Sequence, residues 1–154
     1  MKKFTRILLA LALLGTWASC EDEYEAQAAI DKQLILDYVA DQGWVGAFTE
    51  NDVFYVIDDP GAGGETPVAS STVEVIYTGY LLDGTEFDSS DGFPVRFSLF
   101  NVITGWREGM QKFPRESKGK LVIPSRLAYG PRGSGSAIPA NSVLVFHIEL
   151  LDFE

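Results

Sequence analysis

Val73, Val75 and Tyr77 occupy alternate positions at the start of the stretch VEVIYTGYLLDGTEFD, which runs from Val73 to Asp88. Alternation with a period of two predicts a β-strand with one buried face. Asp83-Gly84, inside the stretch, predicts the tight turn of a β-hairpin. The second strand of this hairpin ends on Phe87 and Asp88, so an aromatic ring and a carboxylate leave a strand end side by side.

A second informative stretch, GWREGM, starts at Gly105 and follows the apolar pair Val102-Ile103. A glycine and a tryptophan shortly after an apolar pair suggest a short helix that starts inside a hydrophobic concavity. Combined with the end of the hairpin, Trp106 and its neighbours predict an aromatic pocket with one acid at its rim.

Residues Tyr24 to Gln42 have the spacing of an amphipathic helix, which Gly43 ends. The predicted apolar stripe consists of Ala26, Ile30, Leu34, Ile35 and Tyr38. Such a stripe must cover an apolar surface, which is either the main domain or a second copy of the same helix.

The chain begins with a basic segment, an apolar run from Ile7 to Leu14, and small residues before Cys20. An apolar run that is much shorter than the ~20 residues needed to span a bilayer predicts a signal peptide, over residues 1–19. The sequence before Cys20 resembles a lipobox, which predicts that its thiol is acylated. The alternative is ordinary cleavage near Ala18, which leaves a free thiol.

At 154 residues the chain fits one domain with an appendage. We divide it into the signal peptide 1–19, a lipidated tether with the amphipathic helix at 20–52, and the main domain at 53–154. The formal net charge of −10 argues against nucleic acid as a partner. The single cysteine excludes an intrachain disulfide.

The residues needed for several common chemistries are missing. His147, the only histidine, lies in VLVFHIELL, where alternation places it on the solvent side of the last predicted strand. The sequence contains no Ser-His-Asp set, metal-ligand cluster or phosphate-binding loop. These observations argue against hydrolase and nucleotide-binding functions.

Four sequence blocks occur in a fixed order over Phe54 to Glu154: YTG with LxDGxxFDSS, VIxGWxEGM, LxIPxxLAYG, and IPxNxxLxFxIELL. This series resembles the FK506-binding-protein family of peptidyl-prolyl isomerases, in a bacterial lipoprotein form. The resemblance implies an α+β fold, in which a curved antiparallel sheet of about five strands wraps a short helix near Trp106 to Phe113. The amphipathic helix is added at the N-terminus.

The resemblance also assigns roles to individual residues. Asp88 corresponds to the family's carboxylate at the rim, and Tyr129 to the hydroxyl that donates to the substrate carbonyl before proline. The backbone N–H of Ile103 is a second expected donor. The substrate-binding positions are Tyr77, Phe87, Val95, Val102, Ile103, Trp106, Ile138 and Phe146. Without the resemblance, the apolar ones would be ordinary core residues and Asp88 a turn-stabilising residue.

Within this set, Trp106 would form the floor of the pocket under the proline ring. Ile138 would belong to a flap over it. Val95 stands where the family often has an aromatic residue, so one wall is expected to be shallower.

The implied function is isomerisation of X-Pro bonds during the folding of exported proteins, in a bacterial cell envelope. The resemblance implies no cofactor and no metal. The implied partners are proline-containing unfolded polypeptides, macrolide inhibitors, and a membrane reached through the lipid anchor. The protein is expected to be a monomer or a weak dimer.

Two alternatives remain open from the sequence. The first is a holdase module that binds proline-containing peptides with little turnover, which the smaller Val95 would favour. The second is a surface lipoprotein interaction subunit that uses the amphipathic helix for contact. If the isomerase interpretation is right, we expect deletion of Tyr24 to Gln42 to leave isomerisation intact.

Overall fold

The computed structural model describes residues 19–154, with side chains from residue 22 onward. It contains an N-terminal helix, α1 (Ser19–Asp41), one antiparallel sheet, and a second, short helix, α2 (Thr104–Gly109). The predicted α+β fold is confirmed. The leader and the side chain of Cys20 lie outside the described residues, so the signal peptide and the lipid attachment stay predictions.

The sheet has seven strands rather than about five. The strands are β1 (Ala47–Phe48), β2 (Phe54–Asp59), β3 (Thr72–Leu81), β4 (Glu86–Ser89), β5 (Val95–Ser98), β6 (Lys118–Ile123) and β7 (Leu144–Phe153). Their order is β1-β2-β6-β7-β3-β4, and β5 also pairs with β3. Strands as short as β1, with two residues, do not produce a recognisable alternation, which explains the lower predicted number.

α2 packs on one face of the sheet and is followed by a single 3₁₀ turn, Met110–Lys112. Two glycines let the helix lie directly against β6: a Cβ at Gly105 would stand 2.2 Å from Cγ2 of Ile123, and one at Gly109 would stand 2.5 Å from Cδ2 of Leu121. The main core between α2 and the sheet contains Val53, Val73, Val75, Leu99, Trp106, Met110, Phe113, Leu121, Ile123, Ile138, Leu144, Phe146, Ile148 and Leu150.

α1 covers the opposite face of the sheet, where a second apolar layer forms. Its buried members are Ile35, Val39, Phe54, Val56, Val122, Val143 and Val145. The predicted stripe on α1 is only partly right: Ile35 is buried, but Ile30 is 53% exposed and Leu34 is 40% exposed. The buried face instead includes the polar residue Asp31, which no hydrophobic pattern can indicate.

The helix is therefore integrated with the sheet, since Ile35 and Val39 share an apolar layer with residues of β2, β6 and β7. Burial of two aliphatic side chains contributes about 1.5–3 kcal/mol each to stability. Within residues 19–154, no helix combines the length and the apolar character needed to cross a membrane.

Beyond the area that α1 covers, the same face of the sheet is charged. Lys118 pairs with Glu149 at 2.9 Å, and Lys120 pairs with Asp58. His147 is exposed on this face, as alternation predicts. Partial burial lowers the pKa of His147, and the nearby charge of Lys120 lowers it further, so the imidazole is neutral at pH 7.

Candidate functional site

A cavity of about 330 Å³ opens between α2 and the concave face of the sheet. Its lining residues are Tyr77, Phe87, Asp88, Phe97, Asn101, Val102, Ile103, Trp106, Tyr129 and Phe146. They come from β3, β4, β5, β7, the start of α2 and two connecting segments. The cavity is thus assembled from distant parts of the chain around a mostly aromatic wall.

Trp106, which is only 4% exposed, is the centre of the aromatic wall. Its ring centroid lies 5.3 Å from Tyr77, 5.9 Å from Phe97 and 5.3 Å from Phe146, with interplanar angles of 80–89°. Phe87 meets Phe146 at 5.6 Å and 89°. Edge-to-face packing of this kind is favourable for aromatic pairs and holds each ring in one orientation. The cavity is therefore preformed, with rigid apolar walls.

Among the described residues that line the cavity, Asp88 supplies the one carboxylate, and it is hydrogen-bonded to a wall residue. The hydroxyl of Tyr77 donates to Oδ2 of Asp88 at 2.7 Å. Burial raises the pKa of Tyr77 well above its ordinary range, and the hydrogen bond and the negative charge of Asp88 raise it further. The phenol consequently stays protonated as a donor, and Asp88 fixes the orientation of the Tyr77 ring.

This raised pKa makes the stability of the fold sensitive to alkaline pH. The contribution of a group whose pKa is higher in the folded state is complete below its unfolded pKa, about 10 for tyrosine. It is lost as the pH rises from there towards the folded pKa. We expect the free energy of unfolding to fall above about pH 10, and to fall less steeply in Tyr77→Phe. Urea denaturation across this pH range measures both slopes, and identical slopes would contradict the assignment.

The structure brings together most of the predicted site residues. The two proposed catalytic residues, Asp88 and Tyr129, and six of the eight substrate-binding positions line the same cavity. Those six are Tyr77, Phe87, Val102, Ile103, Trp106 and Phe146. Tyr129, 41% exposed, lies at the edge of the cavity, after β6, while Asp88 belongs to β4.

Val95 does not line the cavity, in contrast to the prediction. It pairs with Val75 and packs against the main core, whereas Phe97, two residues later on the same face of β5, lines the cavity and contacts Trp106. Phe97 therefore contributes an aromatic wall that was not predicted, and a shallower wall beside Val95 stays a prediction. Alternation within Val95-Arg96-Phe97 indicates this candidate, which the sequence interpretation missed together with Asn101.

Ile138 also lies outside the cavity lining. It is 5% exposed and belongs to the main core, and its backbone N–H and carbonyl exchange hydrogen bonds with Ser134 at 3.1 and 2.8 Å. These bonds close the loop between Tyr129 and β7. A flap role for Ile138 stays a prediction.

Comparison with known proteins agrees with the family resemblance seen in the sequence. The family model described as FKBP-type peptidyl-prolyl cis-trans isomerase matches residues 63–151. The FKBP-type peptidyl-prolyl cis-trans isomerase FkpA of Aeromonas hydrophila is 52% identical over 108 residues, which cover 69% of this chain and 40% of that protein. The outer membrane protein MIP of Legionella longbeachae is 46% identical over 99 residues, covering 63% and 42%.

The fold is also found in solved structures. The crystal structure of a peptidyl-prolyl cis-trans isomerase from Pseudomonas syringae pv. tomato superposes with a TM-score of 0.72 at 36% identity, covering 84% of this chain and 95% of that one. This chain spans less than half the length of the two curated relatives. The family match covers more than half of the chain, so the chain belongs to the FKBP-type peptidyl-prolyl cis-trans isomerase family.

Proposed function

We propose that the protein is a peptidyl-prolyl cis-trans isomerase that binds proline-containing segments of exported polypeptides in the Trp106 cavity. The observation that carries this proposal is the preformed wall of edge-to-face rings around a buried indole. An apolar concavity with a few polar groups at its edge suits a proline ring with its flanking amides. Family membership supports the same activity.

Rotation about a peptide C–N bond is opposed by a barrier of about 18–20 kcal/mol, because resonance gives that bond double character. The twisted amide of the transition state has lost this resonance and its charge separation. An apolar cavity withholds the water that stabilises the polar planar form, and so favours the twisted form by comparison. An acceleration of about four decades requires about 5.5 kcal/mol of such differential stabilisation.

The polar groups at the edge would orient the substrate. In this mechanism, the hydroxyl of Tyr129 and the backbone N–H of Ile103 donate to the carbonyl that precedes proline. Asp88 acts on the wall, because its carboxylate accepts from Tyr77 and holds that ring against Trp106. No covalent bond is made or broken, and the proposal involves no cofactor or metal.

The isomerisation rate of a short X-Pro peptide, measured with and without the full chain, tests this function. Faster cis-trans exchange that a macrolide inhibitor suppresses would support it. Peptide binding without acceleration would contradict it and favour the holdase alternative. The residue that would favour that alternative, the smaller Val95, is not among the residues that line the cavity, whereas the aromatic Phe97 is.

We further propose that the protein acts in a bacterial cell envelope, anchored through an acylated Cys20. The basic and apolar leader and the small residues before Cys20 support this location. Acyl chains hold a protein at a membrane by burying about 0.8 kcal/mol per CH₂ group. Mass analysis of the mature N-terminus should show a diacylated or triacylated cysteine. The Cys20→Ala variant should no longer be found in the membrane fraction. A mature protein that carries a free thiol would refute the anchor.

For the oligomeric state, we propose a monomer or a weak dimer. α1 uses Ile35 and Val39 to cover its own sheet, while Tyr24, Ile30, Leu34 and Leu36 remain exposed. The exposed apolar side chains of a single helix provide a small contact area for a second copy. Sedimentation velocity over a range of concentrations would distinguish the two states, and a dimer that persists on dilution would contradict both.

A further inference from the structure

A buried carboxylate joins α1 to the segment that carries Tyr129. Asp31 is 0% exposed, and its carboxylate accepts three hydrogen bonds. Oδ1 accepts from Nε2 of Gln27 at 2.8 Å, and Oδ2 accepts from the backbone N–H of Ser125 at 2.8 Å and from its hydroxyl at 2.6 Å. Buried polar groups require such partners, so this arrangement specifies where α1 and Ser125 meet.

Ser125 starts a single 3₁₀ turn, Ser125–Leu127, which we call the Ser125 turn. The preceding residue, Pro124, offers the turn no side-chain hydrogen bond. Asp31, 94 positions earlier in the chain, supplies the acceptor instead. The N–H of Ala128 then donates to the carbonyl of Ser125 at 3.0 Å, and Tyr129 follows directly. The hydrogen bonds of Ser125 thus fix the position of the backbone at Tyr129.

A second set of polar contacts fixes the same turn. Arg126 donates to the carbonyl of Asn51 at 2.7 Å and to the carboxylate of Asp52 at 3.1 Å. Lys32, the neighbour of Asp31 on α1, also pairs with Asp52, at 2.7 Å. The Ser125 turn is therefore tied to α1 both directly and through the loop between β1 and β2.

Tyr129 depends on these contacts more than the buried rings of the cavity do. Tyr129 is 41% exposed, whereas Trp106 and Phe146 are 4% and 5% exposed. An exposed ring gains little positional support from packing, so the backbone determines where its hydroxyl lies. Misplacement of a substrate-orienting group by about 1 Å can cost up to about 100-fold in rate.

We propose that Asp31 is a positioning residue, which acts through the Ser125 turn to place the Tyr129 hydroxyl at the edge of the cavity. This inference rests on the proposed isomerase function. In this proposal α1 contributes to the site, because the helix carries the Asp31 carboxylate. Deletion of Tyr24 to Gln42 should then reduce isomerisation, contrary to the expectation from the sequence.

A double-mutant cycle on the full chain tests this role. We expect Asp31→Ala and Tyr129→Phe each to lower kcat/KM for a proline peptide by about tenfold, and the double variant to be no slower than Tyr129→Phe alone. A purely structural role would instead give the same fold-loss in both backgrounds. All four proteins are compared at a temperature at which circular dichroism shows each to be folded.

The chain contains a matched control. Gln33 donates to Asp37 at 2.8 Å, which repeats the Gln27 and Asp31 pair four residues apart but on the exposed side of α1. Asp37→Ala should leave kcat/KM unchanged. If Asp31→Ala does not fold, Ser125→Ala replaces it in the cycle, since it removes only the hydroxyl donor.

The outcomes separate this inference from the proposed function. If the wild-type chain does not accelerate isomerisation, the function itself fails. If the wild-type chain is active, equal losses in both backgrounds would overturn the role of Asp31. Unchanged activity in Asp31→Ala or in Tyr129→Phe would also overturn it.

Discussion

Replacement of Trp106 by alanine should abolish most of the isomerase activity and weaken the fold as well. The indole is almost fully buried and contacts Tyr77, Phe97 and Phe146 edge to face. Its removal leaves a cavity in the main core, which costs about 3–5 kcal/mol of stability. It also admits water beneath the proline site, and we expect kcat/KM to fall by about 100-fold, or about 2.7 kcal/mol at the transition state.

Phe113→Ala is the matched control for this experiment. Phe113 belongs to the same core and is fully buried, but it does not line the cavity. The two variants should lose similar stability in urea denaturation, whereas only Trp106→Ala should lose activity under conditions where both are folded. Equal losses of activity would mean that the indole contributes to packing alone.

Removal of the Asp88 carboxylate should produce the second large effect. In Asp88→Ala, the Tyr77 hydroxyl loses its acceptor, and its ring is no longer held against Trp106. A hydrogen bond to a charged group contributes about 1.5–3 kcal/mol. We therefore expect kcat/KM to fall by about tenfold or more, with a smaller loss of stability than in Trp106→Ala.

Asp88→Asn separates the hydrogen bond from the charge. The asparagine retains an oxygen that can accept from Tyr77, so activity close to that of the wild type would show that orientation of the ring is what matters. A loss as large as in Asp88→Ala would show that the negative charge itself acts on the substrate. Unchanged activity in both variants would contradict any role for Asp88.

The parts of the site predicted best from the sequence are those with short-range patterns. The hairpin that ends on Phe87 and Asp88, and the glycine and tryptophan that open α2, are visible as local periodicity and turn chemistry. Because the four family blocks are ordered, they also locate Tyr129 and Phe146. These residues meet at one cavity in the structure.

The features that were missed depend on contacts between distant residues. Asp31 is buried with Ser125 as a hydrogen-bond donor, and nothing in the sequence near either residue indicates the pairing. For the same reason the predicted stripe on α1 included Ile30 and Leu34, which are exposed, and omitted Val39. Phe97 was overlooked in favour of Val95, since both lie on the same face of a strand only four residues long.

In the proposed mechanism, the aromatic cavity favours a twisted amide without transferring a proton. The most direct test is kcat/KM for a proline peptide, measured with the full chain in H₂O and in D₂O at matched acidity. We predict the same value in both solvents, because desolvation and orientation involve no proton in flight. A clearly slower reaction in D₂O would show that general acid–base catalysis limits the rate, and would contradict this account.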